Sequence, residues 1–190
     1  MRNVKRFWQR IYLEKFGLKV NFSKLIIPKS YDPQDYFIVL MPKNLSLEKI
    51  LKVMEKEFGF WFYTDVKNLK SIFDKKDLKV RKNSLAVFKR SIHPEIELIN
   101  NEELSAFQKE KKFINIIESA LLELMFFYQS GGHLDSEKET VCFSTVDLDG
   151  YPAVTFWDKA KKEFSIFFLE EESMLDDRME IYSREKVYEK

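Results

Sequence analysis

The sequence predicts an α+β fold, with a mixed sheet of about six strands and one central buried helix. Two observations lead to this prediction. A helical repeat of apolar residues fills residues 113–129, and six short runs rich in aromatic and β-branched residues lie on both sides of it. The last three runs follow one another with only turn-rich segments between them, which is typical of an antiparallel meander.

The composition fits one domain of moderate size. The chain has 190 residues, of which 45% are hydrophobic and 33% are charged, so one core can be built. Its 32 basic and 31 acidic side chains nearly cancel, which argues against a strongly cationic nucleic-acid coat protein. A single cysteine, Cys142, excludes an intramolecular disulfide framework and a multi-cysteine zinc site. We expect one α+β domain over residues 21–169, preceded by a basic helix over 1–20 and followed by an acidic helix or tail over 170–190.

Residues 1–20 predict a short basic amphipathic helix that ends near Gly17. Phe7, Ile11 and then Phe16 or Leu18 recur at roughly helical spacing. The stretch contains six Lys or Arg residues and one Glu. This stretch lacks the apolar core of a signal peptide, and no stretch of the chain approaches the length of a membrane span. We therefore expect a cytoplasmic protein that makes no membrane contact.

A strand, a helix and a second strand are predicted next. The run Tyr36–Met41 is aromatic and β-branched and is stopped by Pro42. Ser46 is a suitable N-cap for a helix through about Phe58, and residues 60–63 form another aromatic run. The order strand, helix, strand predicts a parallel pair with a right-handed crossover.

The segment before the central helix is more irregular. Residues 65–82 predict a loop with a helical turn around 69–73, and residues 84–88 predict the third strand. Asn100 or Asn101 is positioned to cap a short helix that ends near residue 112.

The central helix and the meander complete the predicted fold. The apolar residues of 113–129 occupy most of the helix circumference, which is typical of a buried helix, and Gly131 and Gly132 end it. The three strands of the meander are predicted over residues 140–145, 152–157 and 163–169.

Cys142, His133 and Asp135 suggest thiol catalysis, in which a histidine deprotonates the cysteine and an aspartate orients the histidine. Their spacing matches no motif, and Cys142 falls within a strand pattern. We favour a small cysteine that is partly buried in the sheet and has no catalytic role.

Asp147 lies in a segment that resembles the first half of a calcium loop. Counting from Thr145, the twelfth position is Phe156, whereas a calcium loop needs a bidentate acid there. A turn in which Asp147 accepts backbone hydrogen bonds and Gly150 supplies a positive φ explains these residues better.

The motifs of other metal and cofactor sites are missing. The only two histidines, His93 and His133, form no metal-binding pair. The sequence contains no Walker, GxGxxG or GxSxG motif. We therefore predict no catalytic residue, no cofactor and no metal. Glu118 and Glu123 lie about 140° apart on an ideal helix, so we expect solvated or capping roles for them.

The basic N-terminus is the best candidate for binding. Arg2, Lys5, Arg6 and Arg10 can neutralise phosphates, and Trp8 can stack on an unpaired base. We favour the alternative that the aromatic side chains face the core and the basic side chains face water, because the net charge of the chain is only +1. A further alternative is that the basic start and the acidic end of the chain attract each other, within one molecule or between two copies.

Several short motifs support a resemblance to a known family. They are residues 84–90, 104–106, 116–127 and 132–135, together with Cys142, Asp149, Gly150, Pro152, Val154 and Trp157. With residues 21–63, they make the chain similar to an uncharacterised family of bacterial hypothetical proteins. The resemblance implies one compact domain and supplies no activity. This chain departs from the family pattern before its Asp-Gly turn, and it retains only Arg90 of an Arg-Asp-Arg motif.

The leading interpretation is a non-catalytic binding or accessory protein that contacts a nucleic acid or a protein partner through its basic N-terminus. The alternative is an enzyme with a dispersed polar site formed by Arg90, His133, Asp135 and Asp147. Convergence of these four side chains in one cleft would favour the enzyme.

Overall fold

The computed structural model describes residues 2–62, 69–73, 78–94, 96–98, 113–169 and 181–187. Its helices are α1 (Arg2–Phe16), α2 (Leu47–Glu57), the four-residue α3 (Leu69–Ile72) and α4 (Ile116–Ser130). Its strands are β1 (Tyr36–Met41), β2 (Phe60–Phe62), β3 (Ser84–Lys89), β4 (Ile96–Leu98), β5 (Thr140–Val146), β6 (Pro152–Asp158), β7 (Glu163–Phe168) and β8 (Ile181–Ser183). The fold is α+β, as the sequence predicts.

The strands form three groups. The largest is a four-stranded sheet in the order β2-β7-β6-β5. Its last three strands are antiparallel, whereas β2 runs parallel to β7, so this sheet is mixed and the predicted meander is confirmed. The two other groups are the antiparallel pairs β1-β3 and β4-β8.

The parallel pair predicted for the first two strands is wrong. β1 pairs with β3 over all six of its residues, and β2 pairs with β7 at the edge of the meander. A partner far along the chain is preferred for β2, because Phe62 reaches Phe73 and Phe168 there, with ring centroids 6.2 and 6.4 Å away. Aromatic contacts of this kind stabilise a pairing that the local order of elements does not reveal.

Helix α4 is the centre of the fold. Every residue from Ile116 to Met125 is buried, and the helix contacts α2, β1, β5 and β6. It begins three residues later than predicted, because Asn115 and Glu118 form a capping box at its start. Residue Phe113, predicted to be helical, instead bridges to Glu185. Gly131, with φ 72°, ends the helix in the left-handed conformation.

Helix α1 covers one edge of β1. The Trp8 indole Nε1 donates to the Ile38 carbonyl at 2.8 Å, and the Tyr12 hydroxyl donates to the Leu40 carbonyl at 2.7 Å. Carbonyls two residues apart on a strand point to the same side, so both bonds fix α1 against that edge. Lys15 also pairs with Glu57 of α2 at 2.9 Å.

The end of the chain differs from the expected acidic helix or tail. Residues 181–183 form β8, which pairs with β4, and Arg184 is buried. The expectation is therefore wrong for 181–187, because β4 supplies a pairing partner that local composition does not show. Residues 170–180 and the predicted helix at 100–112 lie outside the described part of the chain.

Truncation of Leu121, which is buried in α4, tests whether α4 is central. We expect Leu121→Ala to lower the free energy of unfolding by about 2–5 kcal/mol, because the helix cannot collapse onto the cavity that is left. Urea denaturation measures this loss. The matched control is Leu13→Ala, since Leu13 is 58% exposed on α1, and its effect should stay within about 0.5 kcal/mol. Equal effects of the two variants would contradict a central role for α4.

Candidate functional site

Three arginines form a stripe along the solvent face of α1. Arg2, Arg6 and Arg10 follow one another at four-residue intervals and are all exposed. This spacing places them on one side of the helix, about 6 Å apart along its axis. We call these three residues the arginine stripe. Leu13, which is also exposed, extends the same side toward the end of the helix.

The arginine stripe begins at the N-terminal end of α1. No acidic residue occupies the first turn of α1, and Arg2 lies in that turn, at the end of the helix that carries the positive dipole charge. Cations are unfavourable there, whereas anions are favourable. The placement therefore creates a positive surface that an anionic partner would neutralise.

The other two N-terminal residues predicted to bind nucleic acid are differently placed. Trp8 is 1% exposed and its ring stacks on Tyr12 at a centroid distance of 5.5 Å. The prediction that Trp8 stacks on a base is therefore wrong, because its ring belongs to the core. Lys5 is half-buried, and its Nζ lies 3.4 Å from the Ser23 carbonyl oxygen.

A histidine–glutamate pair lies where the chain leaves α4. His133 Nδ1 is 2.6 Å from the Glu123 Oε1, and the Leu134 N–H donates to Glu123 Oε2 at 2.9 Å. The imidazole lies flat on Trp157, with ring centroids 3.3 Å apart and an interplanar angle of 1°. Phe127 stacks on it as well, at 5.3 Å.

The pair defines the proton-accepting atom of His133. A carboxylate partner favours the tautomer that carries the proton on Nδ1, so Nε2 is left as the acceptor. Burial raises the pKa of Glu123, while its hydrogen bond to His133 acts in the opposite direction. One signal of this pair is present in the sequence, an acidic residue in an otherwise apolar helix, but no local pattern indicates that His133 is its partner.

Asp135 has a structural role. Its carboxylate pairs with the buried guanidinium of Arg184 and accepts a hydrogen bond from the Thr140 hydroxyl at 2.6 Å. Arg184 also donates to the carbonyls of Ser91 and Ile92, at 3.0 and 3.2 Å. Because its carboxylate is fully engaged, Asp135 holds the end of the chain to the loop after β3.

The four residues of the predicted polar site do not meet in one cleft. Asp147 follows β5 at the end opposite to Thr140, which binds Asp135, and a strand of that length separates them by roughly 20 Å. Arg90 binds Gln129, whereas His133 contacts Phe127. Gln129 and Phe127 are two positions apart on α4, which corresponds to about 200° of rotation around the helix axis. Arg90 and His133 therefore lie on different sides of the end of α4.

Asp147 forms the turn that its sequence predicts. Its Oδ1 accepts hydrogen bonds from the N–H groups of Asp149 at 3.0 Å and Tyr151 at 2.8 Å. Gly150 adopts a φ of 95°, which L-residues rarely adopt. These contacts account for the Asp-Leu-Asp-Gly segment as the connection between β5 and β6.

Cys142 is a core residue, as predicted, and is completely buried rather than half-buried. Its Sγ lies 3.9 Å from the Thr155 hydroxyl, which in turn lies 2.7 Å from the Ser119 hydroxyl. Burial raises the pKa of the Cys142 thiol to about 12. A protonated thiol is a poor nucleophile, and a completely buried one is out of reach of a substrate, so thiol catalysis is not supported.

Glu118 caps α4, but it is not solvated. Its Oε2 accepts from the Asn115 N–H at 3.0 Å and lies 3.0 Å from the Lys186 Nζ. Burial raises its pKa, and the charge of Lys186 opposes this shift. The expectation of a solvated or capping role is therefore confirmed for Glu118 as a cap. It is wrong for Glu123, which is buried and bonded to His133 and Leu134.

Comparison with known proteins gives no assignment. No protein-family model, no curated protein and no solved structure matches the chain. These comparisons therefore add no support to the resemblance based on short motifs. Among the described residues, no group of three or more His, Cys, Asp or Glu side chains is placed to hold a metal ion. Within the same residues, no helix has the length and apolar character needed to cross a membrane.

The burial of Cys142 predicts that its thiol is protected in the folded protein. We expect very slow reaction with an aromatic disulfide reagent at about pH 8.5, where a free thiol is half ionised, and full reaction in urea. The matched control is Ser23→Cys in a Cys142→Ser background, because Ser23 is exposed and should react at once. Equal rates for the two folded proteins would contradict the buried position of Cys142.

Proposed function

We propose that this chain is a non-catalytic cytoplasmic binding protein that contacts the phosphate backbone of a nucleic acid through the arginine stripe. The proposal is supported chiefly by the orientation of α1. Its aromatic side, with Trp8 and Tyr12, is bonded to β1, and its opposite side presents Arg2, Arg6 and Arg10 to solvent.

The attachment of α1 makes the stripe a preformed surface. A helix held at Trp8 and Tyr12 does not have to be ordered on binding, so less conformational entropy is lost. Guanidinium groups suit phosphates because their fork can donate two parallel hydrogen bonds. Since Trp8 is buried, the predicted contacts are with the backbone, and binding should depend little on sequence.

Two other partners fit α1 less well. A basic amphipathic helix that lies on a membrane inserts its apolar side into the lipid, but that side of α1 is packed against the core. A protein interface usually centres on large buried anchors, whereas Leu13 is the one large apolar residue of α1 with high exposure. A polyanion recognised by charge is therefore favoured.

A salt titration tests the proposal. We expect the full chain to bind a labelled duplex with a log–log slope against salt of about −2.7, which corresponds to three phosphate contacts. Replacement of Arg2, Arg6 and Arg10 by Gln should remove most of this slope and most of the affinity at low salt. Fluorescence anisotropy measures both quantities.

The control removes the same charge from another surface. Three exposed lysines serve for this: Lys43, which precedes α2, and Lys49 and Lys56, which lie on it. Their replacement by Gln should leave the dependence of affinity on salt nearly unchanged. Equal loss of affinity in the two triple variants would show a general effect of net charge and would contradict the stripe. Absence of binding by the unaltered chain at low salt would contradict the proposed function itself.

A further inference from the structure

A groove lies between α1, β1 and the end of α4, on a different side of α1 from the arginine stripe. Its volume is about 450 Å³, which falls in the range of small-molecule sites. The floor is apolar and is formed by Val4, Phe7, Trp8, Ile38 and Met125. The polar groups among the residues that line it belong to Asn3, Asp32, Arg90 and Gln129, with the hydroxyl of Tyr36.

Arg90 is held in place at this groove. Its Nε donates to the Pro33 carbonyl at 3.2 Å, and its Nη2 donates to the Gln129 Oε1 at 3.1 Å. Its guanidinium carbon lies 4.6 Å from the centre of the Phe37 ring. These three contacts fix the plane of the guanidinium group without neutralising its charge.

The guanidinium group has donors left for a ligand. Arginine carries five N–H donors, and two of them are used by Pro33 and Gln129. Within the described part of the chain, no carboxylate lies at ion-pairing distance from Arg90. A fixed cation beside an apolar floor is complementary to a molecule with an anionic head and an apolar body.

We propose that the groove binds a small organic carboxylate, with its carboxylate on Arg90 and its apolar body on the floor. A single arginine forms a bidentate pair with a carboxylate. Asp32 also lines the groove, with its Oδ1 bonded to the Gln34 N–H at 2.9 Å. Its negative charge disfavours a doubly charged phosphate more than a singly charged carboxylate. The ring of Phe7, which is only half-buried, suits a ligand with a flat apolar body.

Titration of the isotope-labelled full chain with 3-phenylpropionate, followed by NMR, tests this site. We expect shifts of the Trp8 indole N–H and of the Arg90 side chain, and binding at least about tenfold tighter than that of 3-phenylpropan-1-ol, which lacks the charge. Equal binding of acid and alcohol would overturn carboxylate recognition. Tighter binding of phenyl phosphate would overturn the preference for a singly charged ligand. If no signal shifts with 3-phenylpropionate at concentrations up to about 10 mM, the proposed site is overturned, because such concentrations detect even a millimolar Kd.

Two variants locate the ligand. Arg90→Gln should weaken the binding of 3-phenylpropionate at least about tenfold, because a charge-assisted hydrogen bond is lost. The control is Arg81→Gln, at an exposed arginine outside this groove, which should leave the affinity unchanged. Val4→Trp should fill the groove and block binding while Arg90 stays in place. Unchanged affinity in either Arg90→Gln or Val4→Trp would overturn the assignment. Because Arg90 is not part of the arginine stripe, this result is independent of nucleic-acid binding.

Discussion

The complete burial of α4 is the constraint on which the rest of the structure depends. Ten consecutive residues of this helix are buried, including Glu118, Ser119 and Glu123. Buried polar groups are costly unless they are hydrogen-bonded, so other elements must reach the helix with suitable partners. β6 brings Thr155 to Ser119, the turn after the helix brings His133 to Glu123, and the end of the chain brings a lysine to Glu118.

The two proposed binding surfaces follow from this arrangement. β1 packs on α4 and pairs with β3 at one edge, so its other edge is available to α1. The bonds from Trp8 and Tyr12 to that edge turn the arginine stripe toward solvent. The end of α4 places Gln129 where it holds Arg90 beside the groove. One buried helix thus sets the orientation of a cationic helix face and the position of a cation in an apolar groove.

The sequence predicted what local patterns determine. The apolar repeat predicted α4, and the turn residues around Asp147 predicted the meander. Ser46 predicted the start of α2, and its side chain accepts a hydrogen bond from the Lys49 N–H. It did not predict contacts that depend on distant partners. Nothing local indicates that β2 joins the meander, that residues 181–183 pair with β4, or that Glu123 meets His133. Trp8 was open to two interpretations, because an aromatic residue on an amphipathic helix suits both a core and a base-stacking surface.

Native-state hydrogen exchange tests the central position of α4 most directly. If the other elements depend on this helix, its amides between Ala120 and Met125 should exchange only when the whole molecule unfolds. Their free energies of exchange would then equal the free energy of unfolding measured in urea and would fall with urea at the same slope. Exchange of these amides at a clearly lower free energy than those of β6 and β7 would contradict the account, because α4 would then open while the sheet stays folded.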